Sequence, residues 1–166
     1  MLHLIPAPLH RAGLTLAHAV RIRWWRWRKP LLIGCRVLAF DTDGRVLLIR
    51  HSYGSGRWML PGGGVDRGED ALAAGIRELA EETGCALIDP ILFGQVEEPL
   101  HGTTNRVHLV TGTASGAVQG DGREVIEATF FALDALPPDL SHLVDRYLAD
   151  WVITATAARQ DRSPGA

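Results

Sequence analysis

The stretch that decides the fold is Gly63–Cys85, GGVDRGEDALAAGIRELAEETGC. Leu72, Ile76 and Leu79, with Ala73 and Ala80, recur at helical period and form an apolar stripe. Glu78 stands three residues before Glu81 and four before Glu82, so three carboxylates share one helical face. Like charges at those spacings repel by about 0.2–0.5 kcal/mol per pair even when exposed. One face is thus built for a core and the other for a hard cation. Oxygen ligands with no His or Cys nearby point to Mg²⁺ or Mn²⁺ rather than zinc. An acidic helix face on its own is more often simply solvated, but the residues ahead of this helix change the reading. Leu60-Pro61-Gly62-Gly63-Gly64 follows a short apolar stretch from Trp58. Consecutive glycines let a backbone approach a ligand closely and take positive φ. Their carbonyls can ligate a cation and their amides can face phosphate oxygens.

These residues resemble the Nudix box. That pattern is a glycine, five residues, Glu, seven residues, Arg-Glu, an apolar residue, any residue, Glu-Glu, any residue, Gly and an apolar residue. Gly63, Glu69, Arg77, Glu78, Leu79, Glu81, Glu82, Gly84 and Cys85 fill it, with Cys85 at the last apolar position the one departure. The resemblance covers about Leu31 to Pro138, with the last helix included. It implies an α/β/α sandwich around a mixed β-sheet, to which this chain adds an N-terminal helix. It also implies cleavage of a phosphoanhydride bond in a nucleoside diphosphate-linked substrate, by water and Mg²⁺ (or Mn²⁺). Carried over, Glu78, Glu81 and Glu82 are the metal-binding and base cluster. The Gly62 carbonyl is an extra ligand, and Arg77 with Glu69 is an ion pair that orients the glutamates. A sensing module that binds nucleotide without hydrolysis would have lost box acids, and here none is lost.

The general base is either a box glutamate or an acid on a distant loop. Glu124 and Glu127 are the candidates outside the box. Their spacing of three puts them on opposite faces of a strand. The choice falls on Glu127, shortly before Phe130-Phe131. Substrate selection is expected in the loops. His51, Tyr53, Arg57 and Trp58 precede the glycine turn, and Gly63 lies within it. Tyr53 or Trp58 offers a ring to a base, although core packing is the plainer role for Trp58. Arg57 or Arg106 offers a phosphate grip. Nucleoside triphosphates, oxidised ones included, are the first expected substrates. ADP-ribose, dinucleoside polyphosphates and RNA 5′ ends stay open.

The flanking sequence reads as alternating strands and helices. A helix spans Leu9 to about Trp27 and ends before Pro30. Strands follow at Leu31–Phe40 and Arg45–Arg50 around the turn Asp41–Gly44, and a short one at Trp58. Ala86–Glu97 and Arg106–Thr113 read as strands separated by a polar loop, and Val125–Leu133 as another. A last helix runs from about Leu140 to Ala157. The expected organisation is a basic, aromatic helix over 1–30, a hydrolase domain over 31–158 and a disordered tail over 159–166.

With 166 residues, 46% of them hydrophobic, the chain has the size of one domain with a real core. A net charge of −2 gives no general attraction to nucleic acid, so no stable nucleic-acid partner is expected. Cys35 and Cys85 form neither a metal spacing nor a disulfide framework, which fits a cytoplasmic protein. No apolar run approaches the ~20 residues of a membrane span, and the N-terminus lacks a signal-peptide pattern. The segment Arg21–Lys29 interleaves cations with three tryptophans. It reads as a helix capping the domain or a homodimer contact, with membrane-surface contact ranked below.

Overall fold

The structure, a computed structural model, describes residues 31–100 and 103–162. The expected N-terminal helix, its Arg/Trp segment and residues 163–166 lie outside the described residues. The elements are β1 (Leu32–Phe40), β2 (Val46–His51), β3 (Trp58–Met59), α1 (Ala71–Thr83), β4 (Ala86–Leu100), β5 (Thr103–Ser115), β6 (Val125–Phe131) and α2 (His142–Arg162). Helix α1 is the box helix, and both of its ends are set by sequence. The Asp70 carboxylate accepts from the amides of Leu72 and Ala73, at 3.1 and 3.2 Å. Gly84 ends the helix at φ 72°, its amide donating to the Ala80 carbonyl.

The sheet is mixed. Strand β1 pairs with β5 in parallel, while β4 and β5 form a long antiparallel hairpin. Strand β6 runs along one edge of β2 from Val46 to His51. The other edge of β2 is shared: β1 pairs there at Phe40–Val46, and β3 at Ile49 and Arg50. After that one pair β1 and β2 diverge, and the glycine turn fills the gap. Val37 donates to the Pro61 carbonyl at 2.8 Å, Cys35 to Gly63 at 2.9 Å, and Val65 to Ile33 at 3.0 Å.

One helix covers each face of this sheet. Leu38, Val46, Leu48, Trp58, Val107 and Leu109 pack against Val144, Leu148, Trp151 and Ala155 of α2. Val37, Ala39, Leu47 and Val110 pack against Leu79 of α1, with Cys85 and Leu87. The α/β/α sandwich is therefore present. Trp58 is core, edge-on to Phe131 at 4.9 Å. Among the described residues no helix is long and apolar enough to cross a membrane.

Two elements run longer than the sequence suggests. The polar loop expected around 101–105 is strand up to Leu100 and again from Thr103. Its polar residues pair across the hairpin instead. Arg106 donates to Glu97 at 2.8 and 3.0 Å, and the Asn105 amide donates to Glu98 at 3.0 Å. Helix α2 continues to Arg162, where a tail was expected from 159. Arg159 donates to the Thr113 hydroxyl at 2.7 Å, and Ala155 is fully buried one turn earlier. Strand β4 is irregular between Ile88 and Ile91 and again between Leu92 and Gly94, with Asp89 at φ 48°.

Gly75 sits inside α1, where glycine costs about 1 kcal/mol relative to alanine. A Cβ there would lie 3.0 Å from Cγ2 of Val110. The helix thus lies so close to β5 that even a methyl group would require Val110 to shift by a few tenths of an ångström. Gly75→Leu is expected to lower the unfolding free energy by about 2 kcal/mol or more through overpacking. Urea unfolding followed by circular dichroism measures it.

Candidate active site

The site lies where the glycine turn meets the C-terminal half of α1. Glu82 is 7% exposed, and its Oε2 accepts from the Gly62 amide at 2.8 Å. Its Oε1 stands 3.4 Å from Nε2 of His51, at the end of β2. The Glu78 carboxylate rests on Gly63, where any Cβ would come within 2.5–2.7 Å of its atoms. Gly62 has φ 139° and lies flat against the Cys35 carbonyl and the Arg36 Cα, so no side chain fits there. The carbonyls of Pro61, Gly63 and Gly64 each accept a hydrogen bond. Among the described residues, the Gly62 carbonyl has no donor.

Arg77 ties turn and helix together. Its Nε and Nη2 donate to the two oxygens of Glu69 at 2.9 and 3.0 Å, a bidentate pair. Its Nη1 donates to Glu78 at 2.9 Å and to Glu81 at 3.3 Å, and Nη2 also reaches the Gly64 carbonyl at 3.1 Å. Glu69 further accepts from the Asp66 amide at 2.9 Å. The Arg77 hydrogen bonds and this amide hold the Glu69 carboxyl down at about 2. The same carboxylates push Arg77 above its usual range.

Burial dominates the remaining charges. It raises Glu82 to about 8, against the Gly62 amide and the Arg36 charge, while Glu78 and Glu124 add repulsion. Glu78 is raised by burial too, opposed by Arg77 and reinforced by Glu81 and Glu124. His51 is lowered to about 4 by burial and then by Arg36. At neutral pH the His51–Glu82 contact therefore joins two uncharged groups and is not an ion pair.

The expected site residues are brought together only in part. Among the described residues no three His, Cys, Asp or Glu side chains converge on one point. The Arg77 guanidinium stands between Glu78 and Glu81, and the Glu81 side chain is 61% exposed. Glu127 is not at the cluster. It pairs in register with Arg50, on the sheet face covered by α2, and its carboxylate is 3.9 Å from that guanidinium. Glu124 is the outlying acid whose charge reaches both Glu78 and Glu82. The ladder shifts register between Arg50 and His51, beside the end of β6, and Ser52 there donates to the Glu124 carbonyl at 2.7 Å. Tyr53 packs on His51, with ring centroids 5.1 Å apart. Arg57 is exposed in the loop ahead of β3. Arg106 is engaged by Glu97 and is not a free phosphate grip. Sequence reading missed Arg36, whose charge acts on Glu82, His51 and Cys35.

The donor chemistry fits a hard divalent cation. The donors are all oxygens, two acids are raised chiefly by burial, and among the described residues the Gly62 carbonyl accepts no hydrogen bond. A sheet whose split edge holds a glycine turn against an acidic helix defines a domain built to present oxygen donors beside backbone amides. The family model described as NUDIX domain matches residues 30–152. The chain belongs to the Nudix family, whose hydrolases generally use divalent metal ions.

An RNA pyrophosphohydrolase of Sphingopyxis alaskensis is 51% identical over 64 residues, 37% of this chain and 40% of that protein. The chain thus spans less than half the length of the RNA pyrophosphohydrolases it matches. A Mycobacterium tuberculosis protein named "Putative 8-oxo-dGTP diphosphatase 2" is 35% identical over 118 residues, 68% of this chain and 79% of that protein. The crystal structure of a MutT NUDIX hydrolase from Burkholderia pseudomallei superposes with a TM-score of 0.64 at 30% identity, covering 75% of this chain and 98% of that one.

Glu82 sets a pH signature for the metal-free protein. The unfolded chain releases this proton near 4.5 and the folded chain near 8, so stability is lost as pH rises between them. Below about 6.5 the buried neutral His51 offsets this, because the unfolded imidazole still binds its proton. Urea unfolding in chelator is expected to show stability falling by about 1.4 kcal/mol per pH unit from 6.5 to 8. Glu82→Gln is expected to abolish that slope.

Proposed function

We propose that this chain is a Mg²⁺-dependent pyrophosphohydrolase acting on nucleoside triphosphates, oxidised ones included, with Mn²⁺ as a substitute. The observation that carries the reading is the Gly62 peptide. Its amide fixes Glu82 at 2.8 Å, while among the described residues its own carbonyl accepts no hydrogen bond. Glu78, Glu81, Glu82 and the Gly62 carbonyl are the residues that would hold the cation. Glu78 and Glu81 would have to be shared with Arg77 or released by it.

The cation, when bound, neutralises phosphate charge, acidifies the attacking water and aligns the displacement. Arg77 and Glu69 keep the turn and helix in one register, which positions the acids. Glu124 is proposed as the acid that takes the proton from the attacking water, because the Ser52 amide binds its carbonyl at 2.7 Å, next to the His51 that stands 3.4 Å from Glu82. Tyr53 supplies a ring for the base.

The triphosphate assignment is supported by the match to most of the Mycobacterium tuberculosis protein, whose name specifies an oxidised nucleoside triphosphate. A second reading, hydrolysis at RNA 5′ ends, is favoured by the 51% identity to an RNA pyrophosphohydrolase over 64 residues. Two buried free thiols, Cys35 and Cys85, support a cytoplasmic place of work.

A phosphate-release screen with Mg²⁺ tests the reading. It should span plain and oxidised nucleoside triphosphates, ADP-ribose, dinucleoside polyphosphates and 5′-triphosphate RNA. Turnover is expected first on the triphosphates and is expected to fall at least about 100-fold in Glu81→Gln and Glu82→Gln. Glu124→Gln is expected to lower kcat by about 10²- to 10⁴-fold, and Glu127→Gln by less than about threefold. Absence of metal-dependent turnover on every substrate would overturn the hydrolase reading. A reversed order of the two outer variants would return the base to Glu127.

A further inference from the structure

Arg36 lies on β1 where that strand has already parted from β2, one residue after Cys35, whose amide is bound by the Gly63 carbonyl. Its Cα is part of the surface on which Gly62 lies. The side chain is half-buried, and its Nη1 donates to the Cys35 carbonyl at 3.1 Å. Among the described residues, no carboxylate comes within 4.0 Å of this guanidinium. The arginines around it are placed differently. Arg50 closes on Asp139 at 2.6 Å, Arg77 on three glutamates, and Arg106 on Glu97 at 2.8 Å.

The Arg36 guanidinium is placed by its bond to the Cys35 carbonyl, on a strand whose Cα at 36 lies beneath Gly62. It acts on Glu82, on His51 and on the Cys35 thiol, all of which border the glycine turn. It is not the formed counter-ion of Glu82, whose oxygens face the Gly62 amide and His51. A guanidinium carries five donors in a rigid fork, and among the described residues Arg36 makes only one hydrogen bond. Among the described residues its other donors are unengaged and open to water or to an arriving anion. The anion that suits a planar fork is a phosphate oxygen pair, bound bidentately.

We propose that Arg36 holds a phosphoryl group of the bound substrate, on the β1 side of the glycine turn and across that turn from Arg77. The proposal rests on reading this site as one that takes a phosphoanhydride. It adds a binding residue that lies 27 positions before the box and outside its pattern.

The test uses the full chain with Arg36→Gln and Arg36→Lys, after thermal melts confirm folding. Four quantities are read. They are kcat and KM for dGTP with Mg²⁺, the calorimetric affinity of α,β-methylene-dATP with Mg²⁺, and Mn²⁺ affinity in the absence of nucleotide. Arg36→Gln is expected to raise KM and to weaken analogue binding by about 10- to 100-fold, as for a lost charged hydrogen bond. Its kcat is expected to stay within about threefold and its Mn²⁺ affinity unchanged, with partial recovery in Arg36→Lys.

Unchanged analogue affinity and KM in folded Arg36→Gln would overturn the proposal. So would a change confined to Mn²⁺ affinity, which would make Arg36 a counter-charge for Glu82. A wild-type chain that binds the analogue through Arg36 yet turns over no substrate would overturn the hydrolase reading and leave this one standing. Normal turnover with binding indifferent to Arg36 would do the reverse.

Discussion

The constraint on which the structure depends is the parting of β1 and β2 after a single shared pair, Phe40–Val46. A sheet cannot leave the inner edge of a buried strand unpaired, because each orphaned amide or carbonyl costs about 1–3 kcal/mol. The turn from Pro61 to Val65 pairs that edge, with three backbone hydrogen bonds to β1. It must lie close enough to bond a strand on one side and receive a helix on the other. Glycine at 62 and 63 is the only residue that leaves room, for the Cys35 carbonyl beneath one and for the Glu78 carboxylate above the other. The site is thus a by-product of how a split sheet is closed.

That closure also explains the unusual electrostatics. Glu82 is drawn into the gap by the Gly62 amide, where water is scarce, and so keeps a proton that an exposed glutamate would lose. His51, buried beside it, loses the proton that an exposed imidazole would keep. Both groups take their uncharged forms chiefly through desolvation, with repulsion from neighbouring like charges adding to it. Arg77 cannot help them, since its donors are already engaged by Glu69, Glu78, Glu81 and Gly64. The metal-free site therefore holds its acids by protonation at Glu82 and by a guanidinium at Glu78.

Much of this was legible in the chain. The period of Leu72, Ile76 and Leu79 gave the box helix, and Gly84 gave its end. The pairing of Arg77 with Glu69 was implied only by the resemblance, since Glu69 lies ahead of the N-cap Asp70 and eight residues of helix alone would hold the two about 12 Å apart. The misses share a cause. Strand alternation over Glu124 and Glu127 is interrupted, because Glu124 precedes β6 and the ladder shifts register beside His51. A bulge of that kind leaves no mark in a hydrophobic pattern. Arg36 reads as an ordinary polar residue in a strand, and only the gap beside β1 gives it a special place. The polar run near Asn105 was taken for a loop because its partners, Glu97 and Glu98, sit on another strand.

The two irregularities in β4 have a consequence for the fate of the protein in a crowded solution. This 15-residue strand ends the sheet, and among the described residues nothing pairs with its outer edge. Ile88 and Leu92 are about half exposed along it. A straight edge of that length and greasiness would invite a neighbouring chain to add itself as a further strand, the first step of aggregation. The breaks at Ile88–Ile91 and Leu92–Gly94 divide the edge into short pieces, and the charges of Glu97 and Glu98 follow beyond them. An incoming strand would lose its register within a few residues, so the kinks of β4 act as a guard on the open flank of the sheet.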